Sequence, residues 1–490
     1  MPIFYNALLL TGVNLLLRMV STSFQVFLSG QIGPAGIGLL QLVLSVASLT
    51  TTAGIAGIRT ATMYLTAEEL GRRRPNRIIW VLSGAFAYSI LFSGAIAALV
   101  YCFAPQIAAH WIGNIHALPA IRLFAAFLPV TCLCAVMTGY FTAANRITTL
   151  AAVEVAEQFF SMAVTALALA FWAGSNPSRA CVAVIGGSCA GAILTLSCLI
   201  ILRLRERSPA GPQIPIARRL ADAALPLALA DDLKAGISTA ENLMVPKRLA
   251  LYPSSTSALA LFGMVCGMVF PILMFPAAIL FGLTELLIPE LARCNAAGSH
   301  SRIGYLLRRS LRLTLIYGTT CSGVLYLSAD SLCRGLYQSP QAGIYLRWFA
   351  PLAVMLYCDI VTDAMIKGLG QQKASVRYNI LTSAMDVALL YLLLPSYGLG
   401  GYYFSFLITH LLNFILSLSR LLRITGKRIS PSAPLITVLC ACGSVWAATH
   451  LSGATARCMA FLALFYCLLS IFGIVGKKDL RWLKGLIKLK

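Results

Sequence analysis

Arginine residues lie within the first two apolar stretches of the chain, where a charge is costly. Arg18 is in the middle of the first stretch, and Arg59 is near the end of the second. A lipid-facing arginine costs from about 3 to more than 10 kcal/mol, so such residues normally face a bundle interior or a watery cavity. We therefore predict that Arg18 and Arg59 line an internal path for an anion. The alternative is that each pairs with a buried carboxylate and holds the bundle together.

Small polar residues share helix faces with these two arginines. Steps of three and four residues put them on the same side of a helix. Their hydroxyl and amide groups could hydrogen-bond a ligand, or equally a neighbouring helix. The predicted ligand-binding set is therefore completed by Asn14, Thr22, Gln25 and Ser48.

Carboxylates also follow helical spacing, and some alternate with lysine. Asp363 and Lys367 are four residues apart, and Asp231 and Lys234 are three apart. Opposite charges at these steps can pair on one helix face, which lowers the cost of burial. We predict that such residues form gate contacts or structural ion pairs. The predicted gate or ion-pair residues are Glu154, Glu157, Asp231, Lys234, Asp359, Asp363 and Lys367.

The composition indicates a polytopic membrane protein. Of the 490 residues, 59% are hydrophobic and only 11% are charged, which is too little polar surface for a soluble domain. A helix needs about 20 apolar residues to cross a bilayer. We predict an all-α fold with about fourteen transmembrane helices, from residues 3–28 to residues 457–475. The 15 cysteines are scattered without paired spacing, so neither a metal site nor a disulfide framework is predicted.

The basic residues predict an orientation. Most of the 38 Lys and Arg fall in alternate loops and in the tail, so the positive-inside rule predicts cytoplasmic N- and C-termini. The formal net charge of +22 is then explained by the basic residues of the cytoplasmic loops and tail. Nucleic-acid binding is therefore not expected. The basic tail, 477–490, is predicted either to rest on anionic membrane lipid as an amphipathic helix or to be a solvated stop-transfer segment.

A short repeat suggests an internal duplication. The sequence Ile-Arg-Leu-Phe-Ala from Ile121 returns as Leu-Arg-Trp-Phe-Ala from Leu346, and both stand at the start of an apolar stretch. Paired halves with a site between them are the usual layout of alternating-access transporters. We predict two pseudo-repeated six-helix lobes and two C-terminal helices. The predicted boundaries are 1–206 for the N-lobe, 207–219 for a basic linker, 220–425 for the C-lobe, 432–476 for the added helices and 477–490 for the tail.

Several short motifs, in their order and spacing, give the chain a family resemblance. It resembles the sporulation stage V protein B group of the multidrug/oligosaccharidyl-lipid/polysaccharide (MOP) exporter superfamily, and it is similar to the lipid II flippases. Matches run from the first predicted span to the eleventh. The motifs are Ile32-Gly-Pro-Ala-Gly-Ile-Gly-Leu-Leu-Gln41, Gly139-Tyr-Phe, Glu157-Gln158, Val245-Pro-Lys-Arg-Leu249, Leu287-Ile-Pro-Glu-Leu291 and Gly368-Leu-Gly-Gln-Gln372.

The resemblance implies a function that composition does not. It implies a flippase that moves a polyprenyl-pyrophosphate-linked saccharide, a lipid II-like or polysaccharide precursor, from the inner to the outer leaflet of a bacterial plasma membrane. Cell-wall synthesis enzymes are then candidate partners. One alternative is a multidrug cation antiporter of the same superfamily, and another is a non-transporting scaffold for cell-wall or spore assembly. An enzyme is not expected, because no nucleophile and base or metal-ligand motif accompanies the carboxylates.

The resemblance also implies a cation site and no cofactor. Related flippases hold a cation with carboxylates on the helices that correspond to 220–245 and 375–395. Here those stretches offer Glu241 and Asp386, and Asn379 and Thr382 lie on the face of Asp386. The four residues are therefore predicted to couple transport to Na⁺ or H⁺. Asp386 and the charged run at Asp231 depart from the neutral pattern expected of the sporulation group.

Overall fold

The computed structural model describes residues 2–72, 74–174, 176–205, 216–253, 257–426 and 432–474. These residues form helices and no strand. The predicted tail and most of the predicted basic linker lie outside the described residues. The α-helices are α1 Pro2–Ile55, α2 Ile58–Gly71, α3 Ile78–Gln106, α4 Leu118–Ala143, α5 Ile147–Ala168, α6 Pro177–Leu204, α7 Ala217–Leu249, α8 Ala258–Met264, α9 Phe270–Met274, α10 Ala277–Ala296, α11 His300–Tyr337, α12 Pro340–Phe349, α13 Leu352–Gly368, α14 Gln372–Tyr397, α15 Leu399–Thr425, α16 Ser432–Thr449 and α17 Ala454–Ile471. Short 3₁₀ segments are Pro75–Arg77 and Ile115–Ala117, and π-helical segments are Ile107–Ile112, Leu169–Ala173 and Val265–Val269.

The helices confirm the all-α polytopic class. Within the described residues, nine helices are long and apolar enough to cross a membrane, and the number rises to eleven if each of two bent pairs is one span. The prediction of about fourteen is higher for two reasons. Helices α7 and α11 are about 50 and 57 Å long, but neither is apolar enough to be counted. Charges are spread along α7, whereas the uncharged part of α11, residues 313–329, is rich in Gly, Ser, Thr and Tyr. The first two predicted spans also fall within one continuous helical run.

That first run bends sharply at Gly33. The residue has φ 67° and ψ 177° and stands before Pro34, so it breaks the helical path inside α1. A side chain at Gly267 would meet both Ile37 and, at 3.6 Å, Gln25 Nε2. Twelve residues of straight helix would separate Gln25 from Ile37 by about 18 Å. The bend therefore brings the two predicted spans together.

A second break interrupts the second of the predicted spans, residues 37–65, which the sequence predicts as one helix. Helix α1 ends at Ile55, and α2 starts at Ile58 after Ala56 and Gly57, which have φ values of 43° and 71°. The Tyr88 hydroxyl donates a hydrogen bond of 3.2 Å to the Ala56 carbonyl oxygen that this break frees. A Cβ at Gly57 would clash with the carbonyl oxygen of Ala224 on α7. The break therefore lets α7 approach the N-terminus of α2.

Four prolines inside predicted spans, Pro226, Pro271, Pro276 and Pro351, predict kinks, and two later spans are bent at two of them. Helices α9 and α10 meet at 60° around Pro276, and α12 and α13 meet at 54° around Pro351. Proline lacks the N–H that would continue the helical ladder, and its ring clashes with the preceding turn. Both spans are therefore broken rather than straight.

The helices form two compact units. The first contains residues 1–267 and 386–402, and the second contains residues 268–385 and 403–490. In the first unit, α7 and α8 pack against α1. In the second unit, α16 and α17 pack against α11, where the Phe461 ring fills the space beside Gly323. This grouping follows packing rather than sequence order, so the predicted duplication boundaries stay a prediction.

Replacing Gly57 with alanine is expected to destabilise the protein. A left-handed backbone costs a non-glycine residue about 1–2 kcal/mol, and the added methyl also meets the α7 backbone. The unfolding temperature of the detergent-solubilised protein should fall relative to wild type. Gly94→Ala is the matched control, because a Cβ there meets no atom within 4 Å. Equal unfolding temperatures for the two variants would contradict the proposed close approach.

Candidate functional site

In the first unit, a cavity lies between α7 and the break that separates α1 from α2. Its volume is about 610 Å³, within the 300–1,000 Å³ that small-molecule sites typically occupy. Helix α7 is held beside α1 by the buried Thr239 hydroxyl, which donates 3.1 Å to the Ser45 carbonyl oxygen. The cavity is lined by Ser48, Thr52, Ile55, Gly57, Arg59, Thr60, Asp231, Lys234, Ala235 and Ser238.

The cavity wall is suited to an anion. Arg59 is exposed on the first turn of α2, and Lys234 faces the same space from α7. The positive end of the α2 dipole lies beside Arg59, because Gly57 and Thr60 at that helix terminus also line the cavity. Broken membrane helices in transporters present such N-termini to anionic substrates. Three sources of positive potential therefore converge on one cavity.

Asp231, the acid that was predicted to pair with Lys234, also lines the cavity. Asp231 and Lys234 are both exposed to the cavity. Among the residues that the structure describes, no salt bridge within 4.0 Å joins them. The predicted self-neutralising pair is therefore not formed, and both side chains stay available to a ligand.

The other predicted ligand-binding residues lie apart from this cavity, except Ser48. Arg18 is half-buried on α1 and is not among the lining residues. The Thr22 hydroxyl donates 2.9 Å to the Arg18 carbonyl oxygen of its own helix. Gln25 Nε2 donates 3.4 Å to the carbonyl oxygen of Gly267, which is a helix contact. The side chain of Asn14 lies outside the described residues.

An ion-pair network joins α2 and α7 away from the cavity. Arg219 on α7 lies 2.6 Å from Glu68 and 3.6 Å from Glu69, and Arg72 lies 2.7 Å from Glu68. The Glu69 side chain is almost fully buried, whereas the other partners are partly exposed. The network holds together the two helices that line the cavity. This ion-pair network was not predicted from the sequence, although Glu68-Glu69 stands next to a run of arginines.

The two predicted coupling carboxylates meet in the first unit. Glu241 on α7 and Asp386 on α14 share a side-chain hydrogen bond. Asp386 is 6% exposed, and the buried Tyr402 hydroxyl lies within electrostatic range of both carboxyls and hydrogen-bonds Cys266. The structure therefore brings the two predicted coupling carboxyls next to one another inside the helical bundle.

Asn379 and Thr382 belong to other contacts on α14. The Thr382 hydroxyl donates 2.9 Å to the Tyr378 carbonyl oxygen of its own helix. Asn379 Nδ2 donates 3.0 Å to the Ser375 carbonyl oxygen and lies 3.4 Å from the Asp363 carboxylate. Asn379 Oδ1 also accepts 3.3 Å from Asn413 Nδ2 on α15, so this side chain connects α14 with α13 and α15.

The acids of α13 form a buried polar cluster in the second unit. Asn413 Nδ2 donates to both carboxylate oxygens of Asp359, at 3.0 and 3.1 Å, and His410 Nδ1 lies 3.5 Å from one of them. Lys367 pairs with Asp363 at 2.6 Å on the same helix. Asn413 and His410 are contributions that the sequence analysis missed. The signal was present, because Ser405, Thr409, Asn413 and Ser417 follow at steps of four and are all buried.

The acids of α5 are half-buried in the first unit. The Thr195 hydroxyl on α6 donates 2.6 Å to the Glu157 carboxylate. Glu154 lies within electrostatic range of Arg59 and of Glu157. Glu157 therefore joins two helices, while Glu154 is a counter-charge near the cavity arginine. Their predicted gating role stays a prediction.

In the part of the chain that the structure describes, no group of three or more His, Cys, Asp or Glu side chains is arranged to hold a metal ion. The described residues provide a cavity lined by two cations and one acid, and a separate pair of neighbouring carboxyl groups.

Comparison with known proteins agrees with a transport site. A family model described as MatE matches residues 11–151. Stage V sporulation protein B of Bacillus subtilis (strain 168) is 22% identical over 507 aligned residues, covering 97% of this chain and 96% of that protein. Sporulation protein YkvU of the same organism is 26% identical over 145 residues, covering 30% of this chain and 33% of that protein.

Two solved structures share the fold at 13% sequence identity. The lipid II flippase MurJ, in an inward closed conformation, aligns with a TM-score of 0.71 and covers 95% of this chain and 98% of its own. A multidrug resistance MATE family transporter of the MOP superfamily, in an inward-facing conformation, aligns with a TM-score of 0.65 and covers 86% of this chain and 100% of its own.

The chain therefore has the fold of these two solved structures, one a lipid II flippase and the other a multidrug transporter of the MOP superfamily. In sequence it is similar to stage V sporulation protein B along nearly the whole length of both chains, and residues 11–151 match the MatE family model. The resemblance drawn from the sequence is confirmed.

Proposed function

We propose that this transporter moves a polyprenyl-pyrophosphate-linked saccharide from the inner to the outer leaflet by alternating access. The cavity at the break between α1 and α2 is the observation that carries the proposal. Arg59 offers a planar fork that can bind two phosphate oxygens, and Lys234 adds a second cation. Four hydroxyl side chains, those of Ser48, Thr52, Thr60 and Ser238, are suitable partners for a sugar.

The comparisons support a lipid-linked substrate. The matched flippase is named for lipid II, and stage V sporulation protein B matches along nearly its whole length. In this proposal the polyprenyl tail stays in the bilayer while the head group enters the cavity. The setting is a bacterial plasma membrane with both termini cytoplasmic, where anionic lipids and cell-wall synthesis enzymes are neighbours.

The membrane potential can drive such a movement. Moving one elementary charge through 100 mV is worth about 2.3 kcal/mol. An anion of roughly two charges that moves outward across an inside-negative membrane therefore gains about 4–5 kcal/mol per 100 mV. No nucleotide hydrolysis is required.

The carboxyl pair favours a second candidate function. Glu241 and Asp386 could exchange a proton or a sodium ion for the substrate, whether that substrate is the lipid or an organic cation. In the multidrug antiporter alternative, the arginines would be structural. In the scaffold alternative, the protein would bind cell-wall or spore-assembly enzymes without moving lipid.

Transport in reconstituted vesicles tests the proposal. Wild type is expected to move a fluorescent polyprenyl-pyrophosphate-linked saccharide between leaflets, measured by protection of the label from dithionite. Lys234→Ala should slow that movement at least about tenfold, the loss expected for one charge-assisted contact. Arg18→Ala should slow it less, because Arg18 does not line the cavity, and both variants should stay folded.

Normal movement by Arg18→Ala would remove Arg18 from the substrate path. If wild type moves no lipid but accumulates an organic cation under a sodium or proton gradient, the antiporter is correct. A stable complex with a synthase, recovered without lipid movement, would favour the scaffold.

A further inference from the structure

The cavity that we assign to the head group is not uniformly positive. Arg59 and Lys234 are the cations on its wall, and Asp231 is an acid on the same wall. Asp231 makes no hydrogen bond or ion pair with the residues that the structure describes. A pyrophosphate held by the two cations would therefore lie in the same cavity as an uncompensated carboxylate. Like charges so placed repel, which works against the binding of a simple anion.

Neighbouring residues do not relieve this repulsion. Lys234 is one helical turn from Asp231, yet no salt bridge joins the two. Asp232, the next acid, does not line the cavity; it is half-buried and lies within electrostatic range of Tyr88. Among the described residues that line the cavity, Asp231 is the acid; Glu154 lies within electrostatic range of Arg59 but is not part of the lining.

The geometry points to a ligand that carries both signs of charge. We propose that the cavity selects a pyrophosphate head group that also bears a primary ammonium group, as in an amino sugar or an amino-acid side chain. Arg59 and Lys234 would bind the anion, and Asp231 would accept from the ammonium group. The four hydroxyl side chains of the cavity are suited to the uncharged hydroxyls of a sugar. The Asp231 carboxylate, which can only accept hydrogen bonds, favours an ammonium group over a sugar hydroxyl because it also attracts the positive charge. This inference rests on the proposed function and names the substrate class of the same site.

Two lipids that differ at one nitrogen test the inference. Each is a short-chain polyprenyl-pyrophosphate-linked hexosamine, one with a free amine and the other N-acetylated. Wild-type vesicles should move the free-amine lipid at least about tenfold faster at low substrate concentration, because hydrogen bonds to charged groups are worth roughly that factor or more. Asp231→Asn should lose the preference, whereas Asp232→Asn, the matched control, should keep it.

Equal movement of both lipids by wild type, or an unchanged preference in Asp231→Asn, would overturn the inference and leave the flippase proposal intact. A second measurement tests the selectivity of the cavity independently of lipid movement. It is the binding of the same two lipids to the purified protein, measured by native mass spectrometry. Preferential binding of the free-amine lipid without movement would refute the flippase proposal and support the selectivity of the cavity. Binding without preference, again with no movement, would refute both.

Discussion

Replacing Arg59 with alanine is expected to reduce the movement of a pyrophosphate-linked lipid by about 100-fold or more at low substrate concentration. The guanidinium group is exposed to the cavity at the N-terminus of α2, where it can offer two hydrogen bonds to phosphate oxygens. Hydrogen bonds to charged groups contribute about 1.5–3 kcal/mol each, and two of them account for this factor. Initial rates in vesicles at several substrate concentrations measure the loss.

The controls separate substrate binding from folding. Arg59→Lys keeps the charge but loses the planar fork, so it should retain part of the activity. Arg179→Ala removes an exposed arginine that stacks on the Trp172 ring at 5.9 Å, and it should transport at the wild-type rate. Near-normal transport by Arg59→Ala, with an unchanged unfolding temperature, would show that the head group binds elsewhere.

Replacing both carboxyls of the α7 and α14 pair is expected to uncouple transport from ion gradients. Glu241 and Asp386 are neighbouring carboxyls within the bundle, where a proton or a cation would relieve the repulsion between them. In the double variant Glu241→Gln and Asp386→Asn, an imposed proton or sodium gradient should no longer accelerate lipid movement. Movement driven by the membrane potential alone should persist, because the cavity on α2 is unchanged.

A surface acid on the same helix is the control for this variant. Asp222 is exposed and lies 4.0 Å from Arg218, so Asp222→Asn should keep the full response to a gradient. The measurement is the ratio of initial rates with and without each gradient, at a clamped membrane potential. An unchanged ratio in the double variant would exclude the pair from coupling. A ratio that is lost in Asp222→Asn as well would point to a nonspecific effect of charge on α7.

Much of the fold follows from local properties of the chain. Apolar stretches near 20 residues in length predict membrane helices, and Pro276 and Pro351 bend spans where the sequence predicts kinks. Hydropathy does not mark α7 and α11 as spans, because charges are spread along α7 and because residues 313–329 of α11 are uncharged but rich in Gly, Ser, Thr and Tyr. The break at Ala56 and Gly57 was also missed, although glycines at 54 and 57 were a visible signal. A glycine pair alone does not tell a close helix contact from a broken helix.

The candidate site was predictable in its residue types but not in its grouping. Helical spacing placed Arg59 and Ser48 on one face, and Asp231 and Lys234 on another. Spacing within a helix cannot show which face of a distant helix it meets. The structure joins these two faces in one cavity and leaves Arg18 outside its lining. It likewise joins Asn413 and His410 to Asp359, a contact between α15 and α13.

The sequence by itself determined the class of protein, its membrane character and the kinks at proline. It also identified the ionisable residues inside apolar stretches, where burying a charge is costly. These depend on hydropathy, backbone chemistry and the cost of burying charge, all of which act within one helix. Only the tertiary structure decided which charges face one another. It brought Asp231 and Lys234 into one cavity with Arg59, placed Glu241 beside Asp386 and put Arg59 next to a broken helix end. Those outcomes depend on packing between residues nearly 200 positions apart at the cavity, and no periodicity within a span carries that information.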